Sequence, residues 1–479
     1  MADLDFKIDF DSFNEGLSPL AHIDSKTFTG NKGQASEMKA NILSLPAYVQ
    51  QSPALADLTN GNQAGVVDQL IRFILDKPIS ASLTYAVGTT KLFKMSPTVV
   101  ATGGTPSWPQ TITNMASGES VIRLGDNLFI FYNTSTVGDI AVMPLATEAI
   151  DPDWGSATDQ ALEKAVHPCA SKEDILVFGN GRYLGVYIEG AALLNVQKLD
   201  FGEGAEVADV QFYNNMWYVS VNFGEGRRSQ IFLYDAAALS NQLSDEVAVG
   251  NQRIGFTFVV NGVFYIAYED KTTGFFAIGW LNGRQITPLR YFVGTLPNHR
   301  QKTLYMNTIL FLSGSNILSC GSVISQLPIQ LSILADGGLA TLGGIAAPFG
   351  IPIIASTNGT DTHRLAQFSG LSTDSIYKTV FVDTTYARML GNISTVIVLT
   401  KPLAAGAKAE IYLEGNQGES GTITNALEVT GENKTRHVFK TINLKAVEDV
   451  RCIINYANGS TSVNCPIRKI ILLGNYTER

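Results

Sequence analysis

The chain repeats one pattern of strands and turns between residues 80 and 372, with a period of about 45 residues that is typical of β-propeller blades. Each repeat has a polar turn, a strand rich in aromatic and β-branched residues, a second polar turn and another such strand. The stretch NNMWYVSVNFGEGRRSQIFLYD, residues 214–235, shows the pattern clearly. Because four-stranded sheets that recur at this spacing build propellers, we predict that this stretch is the middle hairpin of one blade.

Seven repeats can be written, and they predict a propeller of six or seven blades. Their first apolar strands begin near Leu83, Leu128, Tyr183, Trp217, Val263, Ile309 and Ile351. The longest interval contains DPDWGSATDQALEKAV, residues 151–166, whose second half predicts a short helix from about Ser156. We interpret this stretch as an insertion between two blades.

Turns between the strands carry pairs of Gly, Asn and Asp, such as Asn214-Asn215 and Asn261-Gly262. These residues tolerate the positive φ of tight hairpin turns, so they are predicted to set geometry and not chemistry. Aromatic side chains on the following strands are predicted to fill the wedges between blades; they are Phe129, Tyr183, Trp217, Phe264 and Phe311. Stacking of one of these rings on a sugar is the alternative.

The pattern changes from Ser375 onward, where about seven short strands with alternating polarity follow one another to the C-terminus. This strand number and length are typical of a β-sandwich. The whole chain is therefore predicted to be all-β. We place an N-terminal strand and extended arm at residues 1–65, the propeller at 66–372 and the sandwich at 373–479.

Apolar and charged residues alternate in the N-terminal stretch DLDFKIDFDSF, which predicts a strand with one apolar face. Its apolar residues, with the Phe that follows, form a predicted assembly arm of Leu4, Phe6, Ile8, Phe10 and Phe13. In one interpretation this strand adds to a sheet of a neighbouring subunit. In the other it pairs inside its own chain, completing a blade or joining the sandwich. The stretch from Val66, VVDQLIRFILDK, is predicted as a short amphipathic helix or as the outer strand of the first blade.

Composition excludes several classes of protein. The 479 residues are 45% hydrophobic, and the formal net charge of -9 includes no dense run of basic residues, which argues against a nucleic-acid-binding surface. The acidic N-terminus does not resemble a secretory signal, and the uncharged stretch from Gly337 contains too much Gly and Pro for a membrane helix. Four scattered cysteines predict reduced core thiols and not a disulfide scaffold or a metal site.

Catalytic motifs are lacking as well. The five histidines form no HExxH or HxH pair, and no GxSxG elbow, P-loop or dinucleotide fingerprint is present. Candidate carboxylates for a propeller glycosidase are Glu189, Glu203, Glu225, Glu269 and Asp270. Because most of them lie beside Gly in turns, solvated loop positions explain them more simply. We predict no catalytic residue, no metal site and no cofactor.

The order of segments resembles a known family. An N-terminal FNEGLSPL, an irregular arm, a degenerate propeller and a terminal domain containing LTKPLAAGAKAEIYLEG together resemble the propeller-bearing neck and tail structural proteins of tailed bacteriophages, including tail nozzle proteins. Nozzle proteins are usually longer, so a compact tail-tip or neck component fits this chain equally well.

The resemblance implies a virion protein, assembled in the host cytoplasm, that forms a ring of identical copies and contacts neighbouring virion proteins. It also implies a channel through which DNA passes without specific binding, for which an acidic wall is suitable because like charges repel. No membrane anchor is expected. The alternative is a glycan-binding or glycan-degrading propeller protein at a phage tail tip.

Overall fold

The computed structural model describes residues 5–10, 35–39, 41–42, 49–51, 54–58, 67–154, 162–191, 193–224, 228–236, 243–250, 252–260, 262–270, 275–292, 294–305, 308–314, 316–320, 333–334, 339–358, 362–370, 375–379, 381–384, 389–417 and 420–478. These residues contain forty strands and no helix, and hence no helix able to span a membrane. The helix predicted near Ser156 begins outside them. Contacts divide the chain into two compact units, residues 56–315 with 336–367 and residues 1–55 with 316–335 and 368–479.

Seven small antiparallel sheets follow one another along the chain and form the blades of a propeller. The first blade contains β6 (Phe73–Ile74), β7 (Thr84–Val87), β8 (Lys91–Met95) and β9 (Gln110–Thr111). The second contains β10 (Ser117–Leu124), β11 (Asn127–Asn133) and β12 (Gly138–Pro144). The third contains β13 (Cys169–Lys172), β14 (Ile175–Asn180), β15 (Tyr183–Ile188) and β16 (Leu193–Asp200). The fourth contains β17 (Ala205–Tyr213), β18 (Met216–Phe223), β19 (Ser229–Tyr234) and β20 (Asp245–Gly250).

Three further blades complete the series. The fifth contains β21 (Arg253–Val260), β22 (Val263–Asp270), β23 (Phe275–Asn282) and β24 (Gln285–Phe292). The sixth contains β25 (Lys302–Tyr305), β26 (Thr308–Ser313), β27 (Asn316–Cys320) and β28 (Ile333–Leu334). The seventh contains β29 (Leu339–Ala346), β30 (Ile353–Asn358), β31 (Thr362–Ser369) and, from far upstream, β5 (Ala54–Asp57).

The first strands of the blades lie around one axis. Strand β6 contacts β10, β10 contacts β13, β13 contacts β17 and β17 contacts β21, while β29 contacts both β25 and β6. The fourth strand of the seventh blade comes from residues that precede the first blade, and the Leu58 N–H donates to the Leu365 carbonyl at 3.0 Å beside it. The ring therefore closes with strands from both ends of the repeat region. The predicted β-propeller is confirmed.

Local signals in the sequence explain the hairpins. The stretch 214–235 forms β18 and β19, the two middle strands of the fourth blade, as predicted. Asn214 and Asn215, between β17 and β18, have φ angles of 47° and 60°. Two consecutive residues in this left-handed region form the turn that matches the twist of paired strands, and Asn adopts it readily. The residues after Val66 form neither a helix nor an outer strand, because their strand β6 is the innermost one of the first blade.

Four of the five aromatic residues assigned to the wedges are buried there, whereas the half-buried Tyr183 ring lies 4.7 Å from the Arg182 guanidinium and corrects its assignment. Phe129, Trp217, Phe264 and Phe311 are each at most 2% exposed. Phe129 packs with Phe178 of the third blade in one cluster, and Phe264 packs with Tyr218 of the fourth blade in another. Adjacent blades are thus held together by buried rings, each of which contributes a large apolar area.

The smaller unit contains two antiparallel sheets. The first has the order β1-β40-β34-β38 and the second β2-β32-β39-β35-β36, with β33 beside β39 and β37 beside β35. Their bounds are β1 (Asp5–Phe10), β2 (Ala35–Lys39), β32 (Ile376–Thr379), β33 (Val382–Asp383), β34 (Met389–Thr400), β35 (Lys408–Gln417), β36 (Ser420–Ile423), β37 (Leu427–Thr430), β38 (Arg436–Val447), β39 (Asp449–Asn455) and β40 (Ile467–Glu478). The short strands β3 (Asn41–Ile42) and β4 (Gln50–Gln51) pair with each other. Residues of both larger sheets share one buried cluster, and the β-sandwich stays a prediction.

The N-terminal strand pairs inside its own chain with a C-terminal sheet, which is the second of the two interpretations of this strand and corrects the assignment of Phe6, Ile8 and Phe10 to an assembly arm. Strand β1 runs antiparallel to β40, and Ile8 and Phe10 are 5% and 0% exposed in the shared cluster. The Phe6 ring lies 4.9 Å from that of Tyr476. These three apolar side chains are therefore already covered, while Leu4 and Phe13 lie outside the described residues. Segment 1–65 is likewise divided, since β1 and β2 join the C-terminal sheets and β5 joins the propeller.

This pairing predicts that Phe10→Ala destabilises the C-terminal sheets by about 3–5 kcal/mol, the usual cost of removing a buried ring. Amide hydrogen exchange in β40 measures the effect, and the exposed Lys7→Ala is the matched control, expected to change the free energy of opening by about 0.5 kcal/mol. If Phe10→Ala left exchange in β40 unchanged but lowered the mass of an assembly in solution, the strand would belong to a neighbouring subunit.

Candidate site in the propeller channel

A cavity of about 250 Å³ lies where the first strands of the blades meet. Residues of six blades line it, and its polar and titratable members are Asp76, Cys169, Asp209, Gln211, His299, Arg300 and Lys302. Three of these belong to the segment 299–302, which leads into β25 of the sixth blade. This segment supplies the cations of the channel.

Glu119 of β10 is the centre of the first ion-pair group. Its side chain is 3% exposed, and Arg300 Nη1 lies 2.8 Å from its Oε2. Arg72 Nη2 lies 3.5 Å from Oε1, and Arg72 Nε donates to the Gly118 carbonyl at 3.1 Å. The Ser117 hydroxyl also donates to Oε1, at 2.6 Å. One carboxylate therefore joins residues of the first, second and sixth blades.

Asp209 and Lys302 form the second group, and both are largely buried. Besides its ion pair with Lys302, Asp209 Oδ2 accepts hydrogen bonds from the Thr257 N–H at 2.6 Å and the Thr257 hydroxyl at 3.0 Å. Lys302 Nζ donates in turn to the Thr257 carbonyl at 2.7 Å and lies 5.6 Å from the centre of the Phe256 ring. These contacts join the fourth, fifth and sixth blades.

Asp76 follows β6 and has no cation within ion-pair distance among the described residues. Its Oδ1 accepts the Thr303 hydroxyl and the Ala347 N–H, each at 2.8 Å. The side chain is exposed to water in the cavity, although protein atoms surround it closely. Loss of hydration raises the pKa of this carboxyl group, while both hydrogen bonds and the charge of Lys302 partly offset the effect.

His299 and Cys169 are both held in their uncharged forms. His299 is 5% exposed, and neither ring nitrogen makes a hydrogen bond with a described residue, although the ring lies near the Glu119 backbone. Burial holds its pKa well below the ordinary value, and the neighbouring Arg300 and Lys302 lower it further. The Cys169 thiol donates to the Ser120 hydroxyl at 3.2 Å, and burial raises its pKa to about 12. A thiol with this pKa is not a nucleophile at neutral pH.

A second cavity, of about 510 Å³, lies between the fourth, fifth and sixth blades. Glu206, Arg253 and Glu269 supply its charges, and His299 contributes to its lining as well as to that of the channel cavity. Glu269 is thus the one predicted glycosidase candidate that lines a described cavity. Among the residues described, no group of three His, Cys, Asp or Glu side chains could hold a metal ion.

The other predicted carboxylates do not converge. Glu189 accepts a hydrogen bond from Asn127 Nδ2 at 3.4 Å, and Glu203 lies exposed in a turn. Glu225 and the Asp270 side chain lie outside what the structure describes. Asp76 and Asp209, which line the channel cavity, and Glu119, which pairs with Arg300 of its lining, were not among the predicted site residues. A signal existed for two of them, because Glu119 and Asp209 interrupt the apolar pattern of the first strand of a blade.

No protein-family model and no curated protein matches the chain. Hydrazine synthase of Kuenenia stuttgartiensis is similar with a TM-score of 0.46 and 8% identity, covering 64% of this chain and 98% of that one. The extracellular domain of the hybrid two-component system BT4673 of B. thetaiotaomicron has a TM-score of 0.47 and 12% identity, and the match covers 78% of this chain and 47% of that one. The Dos1 propeller has a TM-score of 0.37 and 10% identity, and the match covers 60% of this chain and 74% of that one. At such identities the likeness concerns the fold alone.

The ion pairs predict an asymmetric response to mutation. Lys302→Met leaves the Asp209 charge buried without its partner, and we expect the propeller to lose about 3–5 kcal/mol of stability. Adding Asp209→Asn removes the uncompensated charge and should restore most of this loss in urea unfolding. Lys172→Met, on an exposed pair, is the matched control with an expected change of about 0.5 kcal/mol. If the double variant were as unstable as Lys302→Met, the unpaired charge of Asp209 would not be the cause of the loss.

Burial of His299 and His167 predicts a loss of stability in mild acid. Both pKa values are lowered in the folded protein, chiefly by desolvation. The unfolded chain therefore binds protons below about pH 6.5 that the folded chain does not, so stability falls as the pH decreases from 7 to 5. Each histidine contributes up to about 1.4 kcal/mol per pH unit. His299→Gln should reduce the slope of unfolding free energy against pH, and an unchanged slope would show that His299 does not contribute.

Proposed function

We propose that the chain is a structural component of a tailed-bacteriophage virion, in the neck or tail, that acts by assembly and not by catalysis. One observation supports a role without catalysis. Glu119 and Asp209 already pair with cations and hydrogen-bond donors from other blades. Such carboxylates stabilise a ring of blades. The virion assignment rests on the resemblance of the FNEGLSPL and LTKPLAAGAKAEIYLEG stretches and of the segment order.

A sheet with two open edges supports assembly with further copies. In the order β1-β40-β34-β38, the outer edges of β1 and β38 pair with no strand among the residues described. Val438 on β38 is 42% exposed. Pairing of β1 of one copy with β38 of the next is a head-to-tail contact, and such contacts close into rings when the rotation between copies permits.

Passage of DNA through the channel of one propeller is inconsistent with its contents. The ion pairs of Glu119 and Asp209 lie in this channel, and the remaining space is a cavity of about 250 Å³. A duplex passing through the assembly would therefore run between copies. The acidic net charge suits such a passage, because like charge leaves the duplex mobile.

The glycan-active alternative is favoured by one observation, the cavity of about 510 Å³ that carries Glu206 and Glu269. Two carboxylates beside one cavity are what a glycoside hydrolase requires. Release of sugar from a host glycan, abolished by Glu269→Gln but not by the exposed Glu203→Gln, would favour this function over assembly.

The proposal predicts a mass in solution several times the chain mass of 51.6 kDa. Light scattering of the purified protein over a range of concentrations measures it. Val438→Asp places a charge at the proposed interface and should lower the mass to that of one chain, whereas Val99→Asp, at a position that is 51% exposed in the propeller, should not. A monomer at every concentration would overturn the assembly proposal.

A further inference from the structure

The channel cavity holds hydrogen-bonding capacity that its ion pairs leave unused. The Arg300 side chain is 13% exposed, and its only side-chain hydrogen bond to a described residue runs from Nη1 to Glu119. Its other guanidinium nitrogens are not among the buried polar atoms without a partner, so water reaches them in the cavities that Arg300 lines. A guanidinium group has five N–H donors, and most of those of Arg300 are available.

Lys302 adds a donor at the same cavity. Its ammonium group has three N–H bonds, and the two described acceptors are Asp209 and the Thr257 carbonyl. The third N–H is left for the cavity. Two cations that are two positions apart in the sequence, both anchored by acids of other blades, therefore present donors to one small space.

Asp76 adds a hydrogen-bond acceptor, its carboxylate, to the same cavity. Its Oδ1 is fixed by Thr303 and the Ala347 N–H, whereas Oδ2 accepts no hydrogen bond from a described residue. Asp76 and Lys302 both line the cavity, and the charge of Lys302 lowers the pKa of the acid, so the two groups lie near each other. The cavity thus combines two cationic donors with one carboxylate acceptor that lacks a cation.

We propose that this cavity binds a small oxyanion that carries a proton, of the phosphate type. Its unprotonated oxygens accept hydrogen bonds from Arg300 and Lys302, and its P–OH group donates to Asp76. One proton lies between the acid and the anion, so the two negative groups attract and do not repel. The volume of about 250 Å³ accommodates an ion of five heavy atoms together with water.

The chemistry of the site predicts selectivity between two anions of the same shape. Phosphate near neutral pH keeps at least one P–OH group, whereas sulfate has no proton to donate to Asp76. Sulfate should therefore bind at least ten times more weakly, corresponding to about 1.4 kcal/mol. A phosphate monoester has a second pKa of about 6 and has mostly lost its P–OH group at pH 7, so the site is expected to bind the free ion.

Isothermal titration calorimetry of the full-length protein with sodium phosphate and with sodium sulfate, at pH 7 and equal ionic strength, tests the proposal. One saturable phosphate site with the stated preference over sulfate is expected. Absence of phosphate binding, or equal binding of both anions, overturns it. Phenyl phosphate, which mostly lacks a P–OH group at pH 7, should bind at least ten times more weakly than phosphate, and an equal affinity would overturn the role of the proton.

Asp76→Asn provides a variant whose readout does not depend on stability. Asparagine keeps an oxygen for Thr303 and Ala347 but replaces the second acceptor by an N–H donor. We expect phosphate to lose at least tenfold in affinity and sulfate to gain, which reverses the preference. Asp68→Asn, on an exposed pair with Lys91 outside the cavity, is the matched control and should leave both affinities unchanged. An unchanged preference in Asp76→Asn would overturn the role of the acid.

Discussion

One buried carboxylate, that of Glu119, joins three blades at the axis of the propeller. Arg72 and Arg300 approach it from the first and sixth blades. Removing such charges from water costs several kcal/mol per ion, so the group is stable only when all its members are in place. Each cation reaches its acid in one arrangement of the blades. The ion pairs therefore favour one order and rotation of blades around the axis more than they add net stability.

Two kinds of contact act over different distances in this ring. Buried rings such as Phe129 and Phe264 join a blade to its neighbour. Arg300 and Lys302 instead join blades that are not adjacent, across the channel. Strand β5 supplies a third constraint, because it completes the seventh blade with residues that precede the first. Neighbour contacts alone would permit an open arc of blades, and the other two constraints close it.

The periodicity of the sequence predicted the propeller, since strand alternation and turn residues are local properties that one window of sequence contains. It could not predict the channel site, because Glu119 and Arg300 are 181 positions apart and each resembles a solvated residue in its own window. The same limit applies to β1. Alternation of Phe6, Ile8 and Phe10 predicted a strand with one apolar face, but such a face fits the edge of any sheet, and its partner β40 lies at the other end of the chain.

The distribution of charge in the channel distinguishes its three acids. Glu119 has two cations and Asp209 has one, so Asp76 is left with hydrogen-bond donors only. Closing the ring does not require an acid without a cation at position 76, because an uncharged acceptor there would bind the Thr303 hydroxyl and the Ala347 N–H equally well. Loss of hydration raises the pKa of this carboxyl group in the folded protein, so its ionised form costs stability at neutral pH. Recognition of a ligand that brings its own proton gives that cost a physical reason.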